Sequence, residues 1–293
     1  MSLAFTAARP ALASIVSDRK RVLITGASGN IGSYCAHDFA ELYDLRLLVH
    51  SPEHADMARL HEFGEVVVGD ITNLADIHAV CQDVDTVVHL AGEASPSAVW
   101  DDLLNANIIG TYNTYVAAMA AGCKRVIYAS SIHAVSGYQT DVQVKTTDPV
   151  NPGDLYGVSK CFGEALSRYM AEQEGIAGIV LRIGAFQPHE VAQDDAGIKM
   201  LDAWVSQRDL AQMIRKCIDA DNVQFAIFHA ISDNRFKRLD ISDARQLLGY
   251  RPVDDSTQIN NRLRDLELDE HIVAHNVTDA HHESGLREDL ARL

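Results

Sequence analysis

Arg21-Val22-Leu23-Ile24-Thr25 runs straight into Gly26-Ala27-Ser28-Gly29-Asn30-Ile31-Gly32, and this junction decides the fold. The first five residues are a short, β-branched apolar run, the pattern of a strand buried on both faces of a parallel sheet. The glycines stand at G-x-x-G-x-x-G spacing and open a helical stretch that reaches about Leu42. Glycine suits this place because the turn is tight, the backbone must come close to a pyrophosphate, and the helix must pack near the strand. The helix N-terminus then offers unpaired N–H groups and a partial positive charge to phosphate oxygens. A glycine triplet alone is weak evidence. Strand, loop and helix in this order make Gly26, Ser28, Gly29, Asn30, Ile31 and Gly32 candidate dinucleotide contacts.

Outward from that junction the strand pattern recurs at Leu45–Val49, Glu65–Val68, Thr86–Leu90, Arg125–Ala129 and Ile179–Ile183. Helical patterns lie between, near Glu53–Phe63 and Leu74–Cys81, over Asp101–Ala121 before Gly122, and over Tyr156–Gln173. The alternation predicts an α/β fold, a Rossmann-type doubly wound parallel sheet with right-handed crossovers and helices on both faces. Beyond Gly184 the rhythm weakens to a helix over Asp209–Asp219, a strand over Gln224–Ala230 and a helix over Ile241–Leu248. This part is too short for its own core, so it reads as a small C-terminal substrate-binding cap. The expected organisation is a leader or surface segment at 1–19, a dinucleotide-binding domain at 20–258 with the cap mainly at 185–258, and a polar tail at 259–293.

The chain has 293 residues, 47% of them hydrophobic, enough for a sizeable core. No run approaches the roughly 18–20 apolar residues needed to span a bilayer. Arg9 and Pro10 interrupt the apolar start, unlike a secretory signal. Cys35, Cys81, Cys123, Cys161 and Cys217 are scattered, odd in number and never in C-x-x-C spacing. That argues against a zinc site or a disulfide framework and for a reducing cytoplasm. A net charge of −16 opposes nucleic acid or an anionic membrane as partner. His271, His275, His281 and His282 fit no standard metal spacing and read as solvated tail residues, so no metal is expected.

Further candidates stand at strand ends. Asp70, before Ile71, reads equally as an acceptor for an adenine amino group or as a cap for the next helix. Leu90, Ala91 and Gly92 let a dinucleotide cross the sheet edge, or form a plain turn. Val49-His50-Ser51 carries no acid for a ribose hydroxyl, so His50 and Ser51 suit either NAD or NADP. Tyr156-Gly157-Val158-Ser159-Lys160 opens a helix and sets Tyr156 and Lys160 on one face. A free phenol titrates near ~10, too high for a base at neutral pH. A neighbouring ammonium, together with a cationic nicotinamide, is expected to lower that value and make Tyr156 a general acid/base. Ser131, 25 positions upstream at a strand end, is placed to hold the reacting oxygen.

These motifs resemble the extended short-chain dehydrogenase/reductase family, also described as NAD-dependent epimerase/dehydratase, over roughly residues 20–250. T-G-x-x-G-x-x-G matches Thr25–Gly32, D-[IL] matches Asp70-Ile71, the helix asparagine matches Asn107, and Y-x-x-x-K matches Tyr156 and Lys160. The resemblance implies Ser131, Tyr156 and Lys160 as the catalytic set, with Asn107 steadying the central helix or a relay water. Lys160 would also grip the nicotinamide ribose, and Ile183 would border the cofactor. Within the family the chain is similar to bacterial uronate dehydrogenases, through Ser130-Ser131-Ile132-His133, the run Leu155–Glu164, Arg182-Ile183-Gly184, and Lys199-Met200-Leu201 with Trp204 and Ser206. That likeness implies oxidation of a uronate at C1 to an aldarolactone, with Ser95, Ser131, His133, Tyr156 and Ser206 near the sugar and Lys199 facing its carboxylate. A homodimer paired through the helices at 101–121 and 156–173 is implied as well.

Three residues depart from the uronate pattern: Ile132 stands for asparagine, Lys199 for arginine and His50 for aspartate. Lysine keeps the charge but loses the bidentate fork. The same fold also serves nucleotide-sugar epimerases, dehydratases and carbonyl reductases. Dehydratases need an acid pair beside the central hydroxyl residue, where this chain has Ile132 and His133. Only 133 residues follow Lys160, few for a nucleotide-holding lobe. A non-catalytic NAD(P)-sensing regulator would have no need of Ser131, Tyr156 and Lys160 together.

Overall fold

The apolar runs form the centre of the computed structural model, which describes residues 19–53, 57–193, 200 and 202–264. β1 (Arg21–Thr25) leads into α1 (Asn30–Phe39), then β2 (Asp44–Val49), α2 (Met57–Leu60), β3 (Glu65–Val68), α3 (Leu74–Val80) and β4 (Thr86–His89). α4 (Trp100–Leu103), a π-helical stretch at 104–109 and α5 (Gly110–Ala120) follow as one rod. Next come β5 (Arg125–Ser131), α6 (Leu155–Glu172), β6 (Ala177–Ile183), β7 (Ala185–Phe186), α7 (His189–Ala192) and β8 (Trp204–Val205). The described chain finishes with α8 (Gln207–Ile218), β9 (Phe225–Ala230), α9 (Ser242–Leu247) and α10 (Ser256–Ile259).

Seven parallel strands lie in the order β3-β2-β1-β4-β5-β6-β9. The order reverses between β1 and β4, the switch point where such sheets open a crevice at the strands' carboxyl ends. Alternating side chains feed two cores. Val22 and Ile24 face the layer that contains α1 and α8. Leu23 faces the layer with Tyr115 of α5 and Met170 of α6. Among the described residues no helix is long and apolar enough to cross a membrane.

Three boundaries differ from those read in the sequence. The strand expected within the cap is β9, which extends the main sheet beside β6. α8 belongs to the same body: Leu210, Ala211, Met213, Ile214, Cys217 and Ile218 bury one helical face, and a parallel sheet needs such a cover on each side. What remains as cap is the β7–β8 pair with α7, α9 and α10. The folded chain also runs past residue 258, because Asn260 and Leu263 are buried against it. The helix expected near Glu53–Phe63 is the single turn α2, with residues 54–56 outside the described set. The leader to residue 18 and the histidine-rich tail from 265 lie outside it too.

Candidate active site

The glycine loop is held by its own backbone. Gly26 has φ +68°, a left-handed conformation, and Gly29 N–H donates to the Gly26 carbonyl at 3.0 Å. A Cβ at Gly32 would lie 2.2 Å from the Gly26 carbonyl oxygen, so only glycine allows α1 this close to β1. Above the loop, two cavities meet along the carboxyl ends of the strands. One, of about 670 Å³, is bordered by Gly26, Ser28, Gly29, His50, Asp70, Ile71, Leu90, Ala91 and Gly92. The other, of about 500 Å³, is bordered by Asn30, Ile31, Gly32, Ser131, His133, Tyr156, Lys160 and Ile183. Gly26, Gly29, Leu90, Gly92 and Glu93 border both, which makes one trough crossing the switch point. Glycine backbone at the centre, and polar side chains at each end, fit a dinucleotide with its pyrophosphate on the N-terminus of α1.

Two proposed cofactor contacts need comment. Ser51 does not border the trough, because its Oγ accepts the Glu53 N–H at 3.2 Å and closes the local turn. Asp70 borders the first cavity while its Oδ1 accepts the Thr72 N–H at 2.8 Å, a bond that holds its carboxyl below the usual range. The cap of α3 is Asn73, not Asp70.

The residues expected to be catalytic, Ser131, Tyr156 and Lys160, converge where β5 meets α6. Asp154 caps α6 by accepting the Gly157 N–H at 2.6 Å and also takes the His133 Nδ1–H at 2.6 Å. One carboxylate therefore aims both the first turn that carries Tyr156 and the His133 ring, whose centroid lies 5.3 Å from that of Tyr156. Lys160 Nζ donates to the Ala129 carbonyl at 3.0 Å and stands 5.5 Å from the Tyr156 ring centroid. Asn107, turned inward by the π-helical stretch, bonds to the Glu93 backbone and to Ser159 Oγ at 2.9 Å. Its partners are the turn after β4 and α6, so it joins those two elements.

The electrostatics correct the sequence reading. Burial pushes the Tyr156 phenol up to about 12, against a hydrogen bond from Ser131 that pulls it down. Burial likewise draws Lys160 down to about 8, with the Glu93 charge pulling the other way. In the protein alone desolvation outweighs the Ser131 hydrogen bond, so Tyr156 stays a protonated phenol at neutral pH.

The residues expected at the substrate divide. Ser131, His133 and Tyr156 border the second cavity with Gln187, Met200 and Ala203. Ser206 does not: it is fully buried and caps α8 by accepting the Asp209 N–H at 3.2 Å. Ser95 lies in the turn after Glu93, where its Oγ pairs with Ser97 Oγ at 3.1 Å. Lys199 lies outside the described residues. The sequence reading missed Asp154, whose signal was its place immediately before a helix-opening residue, and Glu93, which carried none.

Residues 22–224 match the model of the NAD dependent epimerase/dehydratase family. The chain is 35% identical over 251 residues to an NAD-dependent glucose-6-phosphate dehydrogenase of Haloferax volcanii, spanning 81% of this chain and 94% of that protein. It is 34% identical over 239 residues to a uronate dehydrogenase of Pseudomonas putida, spanning 80% and 85%. Among solved structures, a variant of uronate dehydrogenase from Agrobacterium tumefaciens complexed with NAD superposes with TM-score 0.74 at 29% identity, over 84% of this chain and 89% of that one. Glucuronic acid dehydrogenase from Chromohalobacter salexigens gives 0.73 at 31% identity, over 81% and 86%.

Proposed function

The chain belongs to the NAD-dependent epimerase/dehydratase family, and on that premise we propose that it is a dehydrogenase that oxidises the anomeric hydroxyl of a sugar or sugar acid with NAD or NADP, a uronate to its aldarolactone. The observation that carries this reading is the meeting of Ser131, Tyr156 and Lys160 at the reacting end of a trough whose other end is the glycine loop. Ser131 Oγ and Tyr156 Oη hold the substrate oxygen; the Tyr156 phenol first gives up its own proton to solvent by way of Lys160, and the phenolate so formed takes the proton of the substrate hydroxyl. A bound oxidised nicotinamide supplies the hydride acceptor and a positive charge beside the phenol. Lys160 is placed to grip the nicotinamide ribose and return the proton to solvent. His133, aimed by Asp154, borders the sugar. Lys199 is assigned to the carboxylate by resemblance.

The relatives named for uronate and glucose-6-phosphate dehydrogenation support a C–OH oxidation and divide on its substrate. The five free thiols accord with a reducing cytoplasm. Exposed Tyr112 and Met119 on α5, with Tyr169 on α6, accord with a homodimer paired through those helices. The deciding experiment offers glucuronate, galacturonate, glucose 6-phosphate, arabinose and simple ketones to the purified protein, with NAD and NADP separately, and follows nicotinamide absorbance. Turnover of a uronate or aldose supports the reading. Ketone reduction with no sugar oxidation overturns it.

A further inference from the structure

Glu93 follows Gly92 at the end of β4 and borders both cavities of the trough. One buried side chain grips its backbone from two directions. Glu93 N–H donates to Asn107 Oδ1 at 2.8 Å, and Asn107 Nδ2 donates to the Glu93 carbonyl at 2.9 Å. Asn107 is 1% exposed and also donates to Ser159 Oγ, one residue before Lys160. Position 93 is thus pinned to the catalytic helix. Its carboxylate is pinned as well, since Oε1 accepts the Ser95 N–H at 2.7 Å. A Cβ on Gly92 would sit 3.6 Å from Lys160 Nζ, which sets this turn against the catalytic ammonium. The Glu93 charge is felt at both Tyr156 and Lys160. No ion pair involves Glu93 among the described residues.

A carboxylate in a cleft wall, its backbone held by two hydrogen bonds and its Oε1 by a third, and outside any ion pair among the described residues, is a preorganised acceptor. Its partial desolvation is offset when a ligand donates to it. A sugar offers hydroxyl donors. An anionic group at the same place brings like charges together without a donor between them.

We propose that Glu93 is a specificity-determining residue, accepting a hydrogen bond from the sugar hydroxyl on the carbon next to the one oxidised and rejecting substrates that carry an anion there. The proposal rests on the sugar-oxidation reading and narrows it. The substrate is a sugar with a free hydroxyl beside the anomeric carbon, and any carboxylate it bears lies at the far end of the ring. A short 2-hydroxy acid, whose carboxylate adjoins the reacting carbon, is excluded.

The test compares wild type with Glu93→Ala and Glu93→Gln on the best sugar of the panel and on its 2-deoxy counterpart, with NADH binding measured alongside. In Glu93→Ala the KM for the parent sugar rises about 10- to 100-fold, with a smaller change in kcat. The 2-deoxy sugar is already poor in wild type and loses little more. Glu93→Gln, which keeps an acceptor oxygen, falls between, and NADH binding persists in both variants. Equal losses on parent and 2-deoxy sugars, or an unchanged KM, overturn the proposal and leave the sugar-oxidation reading standing. A wild type that reduces neither NAD nor NADP with any sugar brings both down together.

Discussion

The two ends of the trough are made of different material. The dinucleotide end is mostly backbone: Gly26, Gly29 and Gly32 shape it, and a single carbon added at Gly26 or Gly32 would collide with neighbouring backbone. The reacting end is side chains gathered from β5, its following turn and α6, aimed by Asp154, Asn107 and the Ala129 carbonyl. A backbone site is vulnerable to added atoms, whereas a side-chain site is vulnerable to lost ones. Binding and chemistry should therefore be separable by mutation, each failing without the other.

The sharpest separation is at Tyr156. Tyr156→Phe removes only the hydroxyl from a buried ring, so the fold and the glycine loop are untouched. Turnover is expected to drop about 10²- to 10⁴-fold, the usual contribution of a positioned general acid/base, with NADH affinity unchanged by fluorescence titration. Loss of both together would mean that the two ends are not independent. The converse is Gly32→Ala. Its new carbon would meet backbone that cannot swing aside, the Gly26 carbonyl oxygen at 2.2 Å and carbon at 3.0 Å and Ala27 Cα at 2.8 Å. NADH affinity should weaken on the order of 100-fold as the loop opens and the N–H groups at α1 lose their aim. Affinity within a few-fold of wild type would show that the phosphate does not rest there.

Beneath the reacting end lies a charged support that the other end lacks. Glu164 takes Arg182 Nε at 2.9 Å and Nη2 at 2.8 Å, and Ser130 Oγ donates to it at 2.7 Å, all of them buried. Among the described residues Arg182 Nη1 is already without a partner. Glu164→Gln leaves a buried guanidinium uncompensated, and urea unfolding should show a loss of about 3–5 kcal/mol. A loss below about 1 kcal/mol would mean that the pair is hydrated and not a scaffold for the end of β5.

The same contrast explains what could be read from the sequence. The glycine loop and Tyr156 with Lys160 are local patterns, each written in residues that touch because they are neighbours in the chain. Ser131 was legible because it ends a recognisable strand. The Asn107–Glu93 clamp, the Asp154–His133 pair and the buried cap at Ser206 depend on which distant segments meet, and no spacing rule carries that information. β9 was seen as a strand but assigned to the cap, because its pattern does not say which edge it joins. The rise of the Tyr156 phenol in the protein alone was hidden for a related reason: charge neighbours are visible in Y-x-x-x-K, whereas the degree of burial is not.

Burial leaves a signature that can be measured without substrate. In the free protein Lys160 titrates near 8, below its ordinary 10.5, because its ammonium is desolvated. The unfolded chain then binds more protons than the folded one between those values, so stability rises with pH across that window. Below about pH 8 the full cost of the buried charge is present, and above about 10.5 it is gone. Tyr156 acts oppositely and higher: its phenol, raised to about 12, lowers stability as pH climbs beyond 10. Lys160→Met deletes the first effect and keeps the second. The stability difference between Lys160→Met and wild type should therefore favour the variant by up to about 3 kcal/mol at pH 7 and shrink steadily between pH 8 and 10.5. A difference independent of pH would place the ammonium in water, and the reacting end would then be an open surface with the phenol back near its ordinary value.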